Sequence, residues 1–407
     1  TLAFSQVIKN QSREQNIGLI LPASSAALIT NMAVLINGKT CVNLNYTAAT
    51  TAVKGSIASA EVRSVYTSRR FIKKLQQRGI DIDAMLEGLN TIYLEDLKAD
   101  LPKWRLLLAL AATYLPTGLL ALLWVKNRQL NDPAAIVFSS GSEGTPKGIV
   151  LSHRNILGNS KQISDVLNFR EDDVIVGCLP PFHSFGLTVT TMMPMIEGLP
   201  VVCHPDPTDV LNVAKAICRQ RATILLGTAT FLRLYARNKR ISALMLESLR
   251  VVIAGAEKLP ESVQLAFQAK FNINILEGYG ATETTPVASC NIPDQLDSNY
   301  WQVQKGNAPG SVGMPLPGSS VRIVDPVSLE SLPSGEDGLI MIAGTQVMLG
   351  YLNNPEKTAD VIVELDGQRW YKTGDKGHVS EDGFLFIVDR YSRFAKVGGE
   401  MISLGAV

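Results

Sequence analysis

A chain of 407 residues is longer than one compact core sustains, so two or three subdomains are expected. Hydrophobic residues make up 46% and charged residues 18%, with a net charge of +1, which excludes nucleic-acid binding through bulk positive charge. The five cysteines, Cys41, Cys178, Cys203, Cys218 and Cys290, are scattered with no Cys-x-x-Cys pair, so reduced thiols in a cytosolic setting are expected rather than a disulfide framework.

The chain starts at Thr1 with no signal peptide and reads as a fragment or a processed piece, so missing targeting signals say little about the whole protein. Residues 1–100 alternate short apolar strands with helical stretches. Gly18–Pro22, Cys41–Asn45 and Val62–Tyr66 read as strands, and Ser24–Asn37 as a helix. This β–α alternation predicts a parallel sheet. Leu106–Val125 carries no charge and is flanked by Arg105 and Lys126, while Pro116 and Gly118 interrupt it. Three readings compete there: a buried core helix, an interfacial membrane helix and a true span.

Ala134–Phe138 reads as a buried strand that opens into Ser139-Ser140-Gly141-Ser142-Glu143-Gly144-Thr145-Pro146-Lys147-Gly148. Four hydroxyls can donate to an anion, two glycines let backbone N–H groups turn inward, and Lys147 adds a mobile positive charge. That inventory suits a polyphosphate. It is not a Walker loop, because Pro146 precedes the lysine and Gly148 follows it. Glu143 must face a metal ion or point outward in such a site. The competing reading is a Ser/Gly-rich surface turn.

Ser152 reads as the N-cap of a helix over 153–167, with His153 a first-turn residue rather than a catalyst. Strand–helix units follow at 174–179, 200–203, 210–221, 223–226, 231–238 and 251–254. Residues 1–309 are expected to form α/β subdomains, 310–388 a smaller β-rich subdomain, and 389–407 a hinge with the start of a further lobe. Turn signals at Ser334-Gly335, Asp366-Gly367 and Asp382-Gly383 punctuate the β-rich part.

Three further constellations carry chemistry. Ala254-Gly255-Ala256-Glu257 is a small-residue turn that lets a flat base approach the backbone, although alone an ordinary β–α turn is the better reading. In Gly278-Tyr279-Gly280-Ala281-Thr282-Glu283, Tyr279 offers a stacking platform, Thr282 a hydroxyl and Glu283 a hard oxygen for Mg²⁺. Asp375, in Tyr371-Lys-Thr-Gly-Asp-Lys376, can accept both hydroxyls of a ribose or bind its own backbone. Val388-Asp-Arg-Tyr-Ser-Arg-Phe-Ala-Lys396 closes the series.

Together, in this order and across nearly the whole chain, these motifs resemble the acyl-adenylate-forming superfamily: acyl-CoA synthetases, luciferase and peptide-synthetase adenylation domains. The resemblance implies an α/β fold of stacked, mostly parallel sheets with flanking helices plus a β-rich subdomain, with the C-terminal lobe absent. It implies that 139–147 holds the β- and γ-phosphates of ATP and that 254–257 with Tyr279 sandwiches adenine. Thr282 then meets the α-phosphate, Glu283 binds Mg²⁺, and Asp375 with Arg390 holds the ribose. Residues 390–396 become the hinge, where Ser392 departs from the Asp or Lys of many relatives. Lys147, Thr282 and Glu283 are the implied catalytic set. The implied chemistry is attack of a carboxylate on ATP to give acyl-AMP, then transfer to a thiol.

Amino-acid adenylation domains place an Asp near 180–186, whereas here that stretch reads Phe182-His183-Ser-Phe, which fits a long apolar acid. The family match makes His183 a gate of the acyl tunnel; a satisfied core histidine is the alternative. Phrases such as Ala-Gly-Ala-Glu-Lys-Leu and 393–404 resemble bacterial bifunctional 2-acylglycerophosphoethanolamine acyltransferase/acyl-acyl-carrier-protein synthetases. This implies fatty acid, ATP and acyl carrier protein as reactants, lysophospholipid as final acceptor, and a place on the cytoplasmic face of the bacterial inner membrane. CoA as acceptor, a non-catalytic nucleotide-binding module and a membrane-binding scaffold remain alternatives. Because the family's adenylation lysine lies in a later lobe, and Lys396 does not replace it, the 407-residue chain is expected to bind ATP and adenylate poorly; wild-type turnover by this chain in an acyl-AMP assay would refute that.

Overall fold

The computed structural model describes residues 1–139, 146–391, 394–397 and 400–403. Their contacts form two compact units. The first comprises Thr1–Leu157, Gly177–Pro207 and Met348–Pro355; the second comprises Gly158–Val176, Thr208–Val347 and Glu356–Val407.

In the first unit, the strands Thr40–Asn43 and Ser64–Thr67 are buried throughout and Asn16–Ile20 at all but its first residue. Such near-continuous apolar runs are what a sheet covered on both faces requires. The sheet order is Gly350–Tyr351, Lys147–Ser152, Pro133–Ser139, Thr40–Asn43, Asn16–Ile20, Ser64–Thr67, Asn90–Tyr93. Pairing is parallel from Pro133–Ser139 to Asn90–Tyr93, as the β–α alternation predicts, and antiparallel beyond it. Helix ends follow local chemistry. Ser24 accepts the Ala27 N–H at 3.2 Å to open Ser25–Ile36, and Ser152 accepts the Asn155 N–H at 3.1 Å at the start of His153–Leu167. The core includes Tyr46, edge-on to Phe71 at 5.0 Å and to Phe182 at 4.8 Å.

The uncharged stretch 106–125 differs from two of its expected forms. It folds as two short helices, Lys103–Ala112 and Thr117–Trp124. Pro116 has no N–H and restricts the residue before it, so one continuous helix cannot run through. Only Ala112 is buried in the first helix, and nothing in the second, which overturns the buried-core reading. Among the described residues no helix is long and apolar enough to cross a membrane.

In the second unit, Ile175–Gly177, Ile224–Gly227, Val251–Ala254 and Ile275–Gly280 pair in parallel, and Val287–Cys290 and Met314–Pro315 continue the sheet antiparallel. A second, antiparallel sheet is built from Ser319–Val324, Gly338–Gly344 and Gln368–Val379, the last flanked by Ile362–Leu365 and Leu385–Arg390. Asp366 and Gly367, at φ 54° and 72°, make the two-residue turn between Ile362–Leu365 and Gln368–Val379, where both central positions need positive φ. Gln368–Val379 carries a register shift between Lys376 and Gly377.

One buried ion pair fastens the helix His153–Leu167 to the parallel strands. Asp173 is fully buried, receives Arg250 Nε at 2.8 Å, the Thr223 hydroxyl at 2.7 Å and the Arg170 N–H at 2.8 Å, while Arg250 also donates to the Leu167 carbonyl at 3.3 Å. Burial opposes ionisation, yet the Arg250 guanidinium with the two other donors holds the carboxyl below its ordinary range. Stability from such a group is present above the carboxylate range and is lost as pH falls through the depressed value. We expect Arg250→Met to cost about 3–5 kcal/mol at neutral pH, because it strands a buried charge. That deficit should shrink under acid, as read by urea unfolding at a series of pH values.

Candidate functional site

The strand Ile275–Gly280 delivers Tyr279 to the antiparallel sheet of its own unit. The phenol donates to Asp375 Oδ2 at 2.5 Å. Asp375 Oδ1 faces Arg390 Nε at 3.3 Å, and the two residues are register partners on adjacent strands. The structure thus brings together three residues that the sequence places far apart. Gly374, at φ 76°, turns the chain just before Asp375, and the Asp375 N–H is taken by Thr373 Oγ1 at 3.0 Å. Thr373 in turn donates to the Ile340 carbonyl at 2.9 Å, which fixes the turn to the sheet centre. Asp375 is 17% exposed and Arg390 56%, so their ion pair contributes little by itself. Burial, then the Asp375 charge and hydrogen bond, push the Tyr279 phenol well above its ordinary range.

Beyond Tyr279 the chain makes a close approach that tolerates no side chain. A Cβ on Gly280 would lie 1.7 Å from the Pro286 carbonyl oxygen, and the pairing with Val287–Cys290 shifts register there. Gly278 has ordinary clearances, so only the second glycine of the motif is obligatory. Thr282 and Glu283 follow on a single turn, Thr282–Thr284, whose entry is closed by Thr284 Oγ1 accepting the Ala281 N–H at 2.9 Å. Both side chains are half-buried.

The small-residue turn at the end of Val251–Ala254 is present. Gly255 donates to the Gly227 carbonyl at 3.0 Å, and Ala256 is exposed at φ 69°. Glu257 has a local use. Its carboxylate accepts the Thr230 N–H at 2.5 Å and the Thr230 hydroxyl at 3.1 Å, capping the helix Ala229–Arg237. Partial burial opposes its ionisation, and these donors with Thr228 and Arg233 bring its pKa down. Sequence reasoning missed Glu277, the register partner of Ala254. It is half-buried, accepts the Leu259 N–H at 3.3 Å, and burial raises its pKa. Its position two residues before Tyr279, on the same strand face, was the signal available.

In the first unit, Ser139 and Lys147 are register partners, so the hydroxyl-rich loop leaves and re-enters the sheet on adjacent rungs. Ser140, Gly141, Ser142, Glu143, Gly144 and Thr145 lie outside the described residues. Phe182 is buried, and His183 packs on it at 4.6 Å between ring centroids. His183 is exposed, which overturns the core-histidine reading; partial desolvation lowers its pKa, so its ring is neutral near pH 7. The segment continues into a π-helix, Phe185–Met192, buried from Gly186 to Met192. A Cβ on Gly186 would meet the Pro180 carbonyl oxygen at 2.1 Å. Wide helical turns of this kind recur at functional sites.

Residues 3–352 match the family described as AMP-binding enzyme. The chain belongs to that family. Relatives include a probable 4-coumarate–CoA ligase of Dictyostelium discoideum, 36% identical over 66% of this chain and 47% of the relative. A long-chain-fatty-acid–CoA ligase of Bacillus subtilis is 32% identical over 66% of this chain and 46% of the relative. The chain spans about half the length of these curated relatives. Among solved structures, ATP-bound MatB from Rhodopseudomonas palustris superposes with a TM-score of 0.78 at 25% identity, covering 98% of this chain and 74% of that one. The O-succinylbenzoate coenzyme A synthetase of Bacillus subtilis shares the fold at a TM-score of 0.73 and 23% identity.

Membership in the AMP-binding enzyme family gives the clustered residues a common purpose, and their chemistry fits it. Among the described residues no three His, Cys, Asp or Glu side chains converge as a metal cage. Glu283 is a single hard oxygen donor, which suits Mg²⁺ carried by phosphate oxygens and water rather than a caged ion. The Tyr279–Asp375 bond makes a stability test possible. A phenol whose pKa is raised on folding contributes stability that is complete below pH ~10 and lost as pH climbs toward the folded value. Tyr279→Phe is expected to lose about 1–2 kcal/mol at neutral pH and to show a smaller further loss in alkali than the wild type, measured by denaturant unfolding.

Proposed function

We propose that this chain is the nucleotide-binding and acid-binding part of an ATP-dependent acid–thiol ligase that adenylates a long-chain fatty acid. The observation that carries the reading is the Tyr279–Asp375–Arg390 cluster beside the Thr282–Glu283 turn, together with the absence of any carboxylate in Phe182-His183-Ser184-Phe185. In this reading the Tyr279 ring flanks the base, with Gly255 and Ala256 as the opposite ledge. Asp375 accepts ribose hydroxyls, and Arg390 restrains that carboxylate. Thr282 donates its hydroxyl to an α-phosphate oxygen, and Glu283 is the Mg²⁺ ligand. The loop 139–147, with Lys147, receives the β- and γ-phosphates. Bound Mg²⁺ would offset negative charge on the phosphates as it develops.

The acid's carboxylate oxygen forms a bond to the α-phosphorus while the bond to pyrophosphate breaks, leaving acyl-AMP. The protein's part is to hold the two in line and to meet developing charge with fixed donors. The neutral His183 ring on Phe182 borders an apolar chain without presenting a charge to it. The finer assignment is transfer of the acyl group to the phosphopantetheine thiol of an acyl carrier protein, serving lysophospholipid reacylation at the cytoplasmic face of the bacterial inner membrane. The phrases 139–148 and 393–404 support it. A second reading, an acyl-CoA ligase, is favoured by the CoA-ligase names of the Dictyostelium and Bacillus relatives.

ATP–pyrophosphate exchange by the full-length gene product tests the first step, with a long-chain fatty acid, a short acid and an amino-acid panel. Exchange is expected with the fatty acid alone, falling at least about tenfold in Asp375→Ala. Exchange with amino acids, or none with any acid while ATP still binds, would overturn the reading. Supplying CoA or pantetheinylated carrier protein to the acyl-AMP then separates the two acceptors.

A further inference from the structure

We infer that the paired helices Lys103–Ala112 and Thr117–Trp124 dock the first unit on an anionic lipid surface, lying in the interface rather than crossing it. The starting observation is an exposed apolar face that a water-soluble surface does not ordinarily carry. Leu107 is 65% exposed and Leu122 80%, and Leu106, Leu108, Leu110, Leu119 and Leu123 are exposed with them. These helices have 10 and 8 residues, against about 20 for a span. Their apolar side chains can therefore reach only the headgroup–acyl boundary.

Two features choose a bilayer over a protein partner. The first is charge. From Leu101 to Asn131 the chain carries Lys103, Arg105, Lys126 and Arg128 and no acidic residue. Arg128 is tied to the Gly38 carbonyl, Gln15 and Asp132. Lys103, Arg105 and Lys126 flank the apolar pair in sequence, where phosphate headgroups would lie when the leucines face the acyl chains. Of the flanking acidic side chains, Asp132 is paired with Arg128 at 3.4 Å, and Glu95 and Asp96 are engaged by Ser68 and Arg69, which leaves Lys103, Arg105 and Lys126 to set a positive field. The second is the aromatic set. Trp104 and Tyr114 are exposed, and Trp104, Arg105, Leu108, Leu123 and Trp124 line a recess of about 390 Å³ against the helix Leu2–Gln11. The Arg105 guanidinium lies 5.3 Å from the Trp104 ring. Tryptophan and tyrosine are the side chains that settle at a lipid–water boundary.

Vesicle flotation of the whole 407-residue chain tests this without any reaction readout, so its outcome is separate from that of the adenylation assay. The probes are phosphatidylcholine vesicles and vesicles of phosphatidylcholine mixed with phosphatidylglycerol, each at low and high salt. The wild type should float with the anionic vesicles, more weakly at high salt and more weakly with phosphatidylcholine alone. Leu107→Glu/Leu122→Glu should lower the floated fraction at least about tenfold. Lys103→Gln/Lys126→Gln should remove the lipid-charge and salt dependence while leaving residual binding. Because all four positions are exposed, circular dichroism melts should be unchanged. Absence of flotation, or flotation untouched by the Leu→Glu pair, overturns the proposal. A dimer in light scattering that the Leu→Glu pair dissolves, without vesicle binding, assigns the face to a second copy instead.

Discussion

The hydrogen bond from Tyr279 to Asp375 is the constraint on which the nucleotide side of this protein turns. It joins the last parallel strand of one sheet to the central strand of another, across 96 positions of sequence. A half-buried phenol needs a partner and a carboxylate needs a donor, and here each supplies part of what the other needs. Arg390 adds a weak, half-exposed restraint from the neighbouring strand. The result is a carboxylate whose two oxygens are oriented from two different strands.

Around that bond, glycine decides what can approach. At Gly280 the neighbouring backbone occupies the space a Cβ would take, so the strand pair closes tightly just before Thr282 and Glu283. At Gly186 the same constraint operates in the first unit, at the mouth of a π-helix. In both places the absence of a side chain is structural. It sets backbone against backbone and so aims the following residues. Polar side chains nearby are then tied down locally, as Thr373 and Thr284 are, so that the reactive groups need no reorganisation of their supports.

Much of this was legible in the sequence, and the reasons are specific. Apolar runs such as 134–138 and 251–254 announce buried strands because both faces are covered, and the alternation with helices requires parallel pairing. Side-chain chemistry picked out the candidate residues, and their roles followed only from the resemblance of the whole series. What could not be read were relations set by distant pairing. Nothing local says that Lys147–Ser152 runs antiparallel, that Asp375 and Arg390 are cross-strand partners, or that Glu257 spends its carboxylate on the helix Ala229–Arg237. Glu277 was overlooked because strand periodicity marks it only as one alternate position among several. The 106–125 stretch carried the correct breaker, Pro116, but hydropathy alone cannot distinguish an apolar helix that is packed from one that is left bare.

The register shift in Gln368–Val379 bears on how this part of the chain tolerates changes of length. Lys376 faces Asp389 and Gly377 faces Ile387, so Val388 on Leu385–Arg390 is the unmatched residue, and the side chains beyond it keep their faces because of that extra position. A residue inserted in the turn after Val379 would extend a loop and leave Asp375 opposite Arg390. The same insertion placed between Leu385 and Asp389 would slip the ladder by one and turn the guanidinium away from Asp375. Length variation among natural and engineered versions of this domain should therefore collect at 380–384 and be absent from the strands on either side.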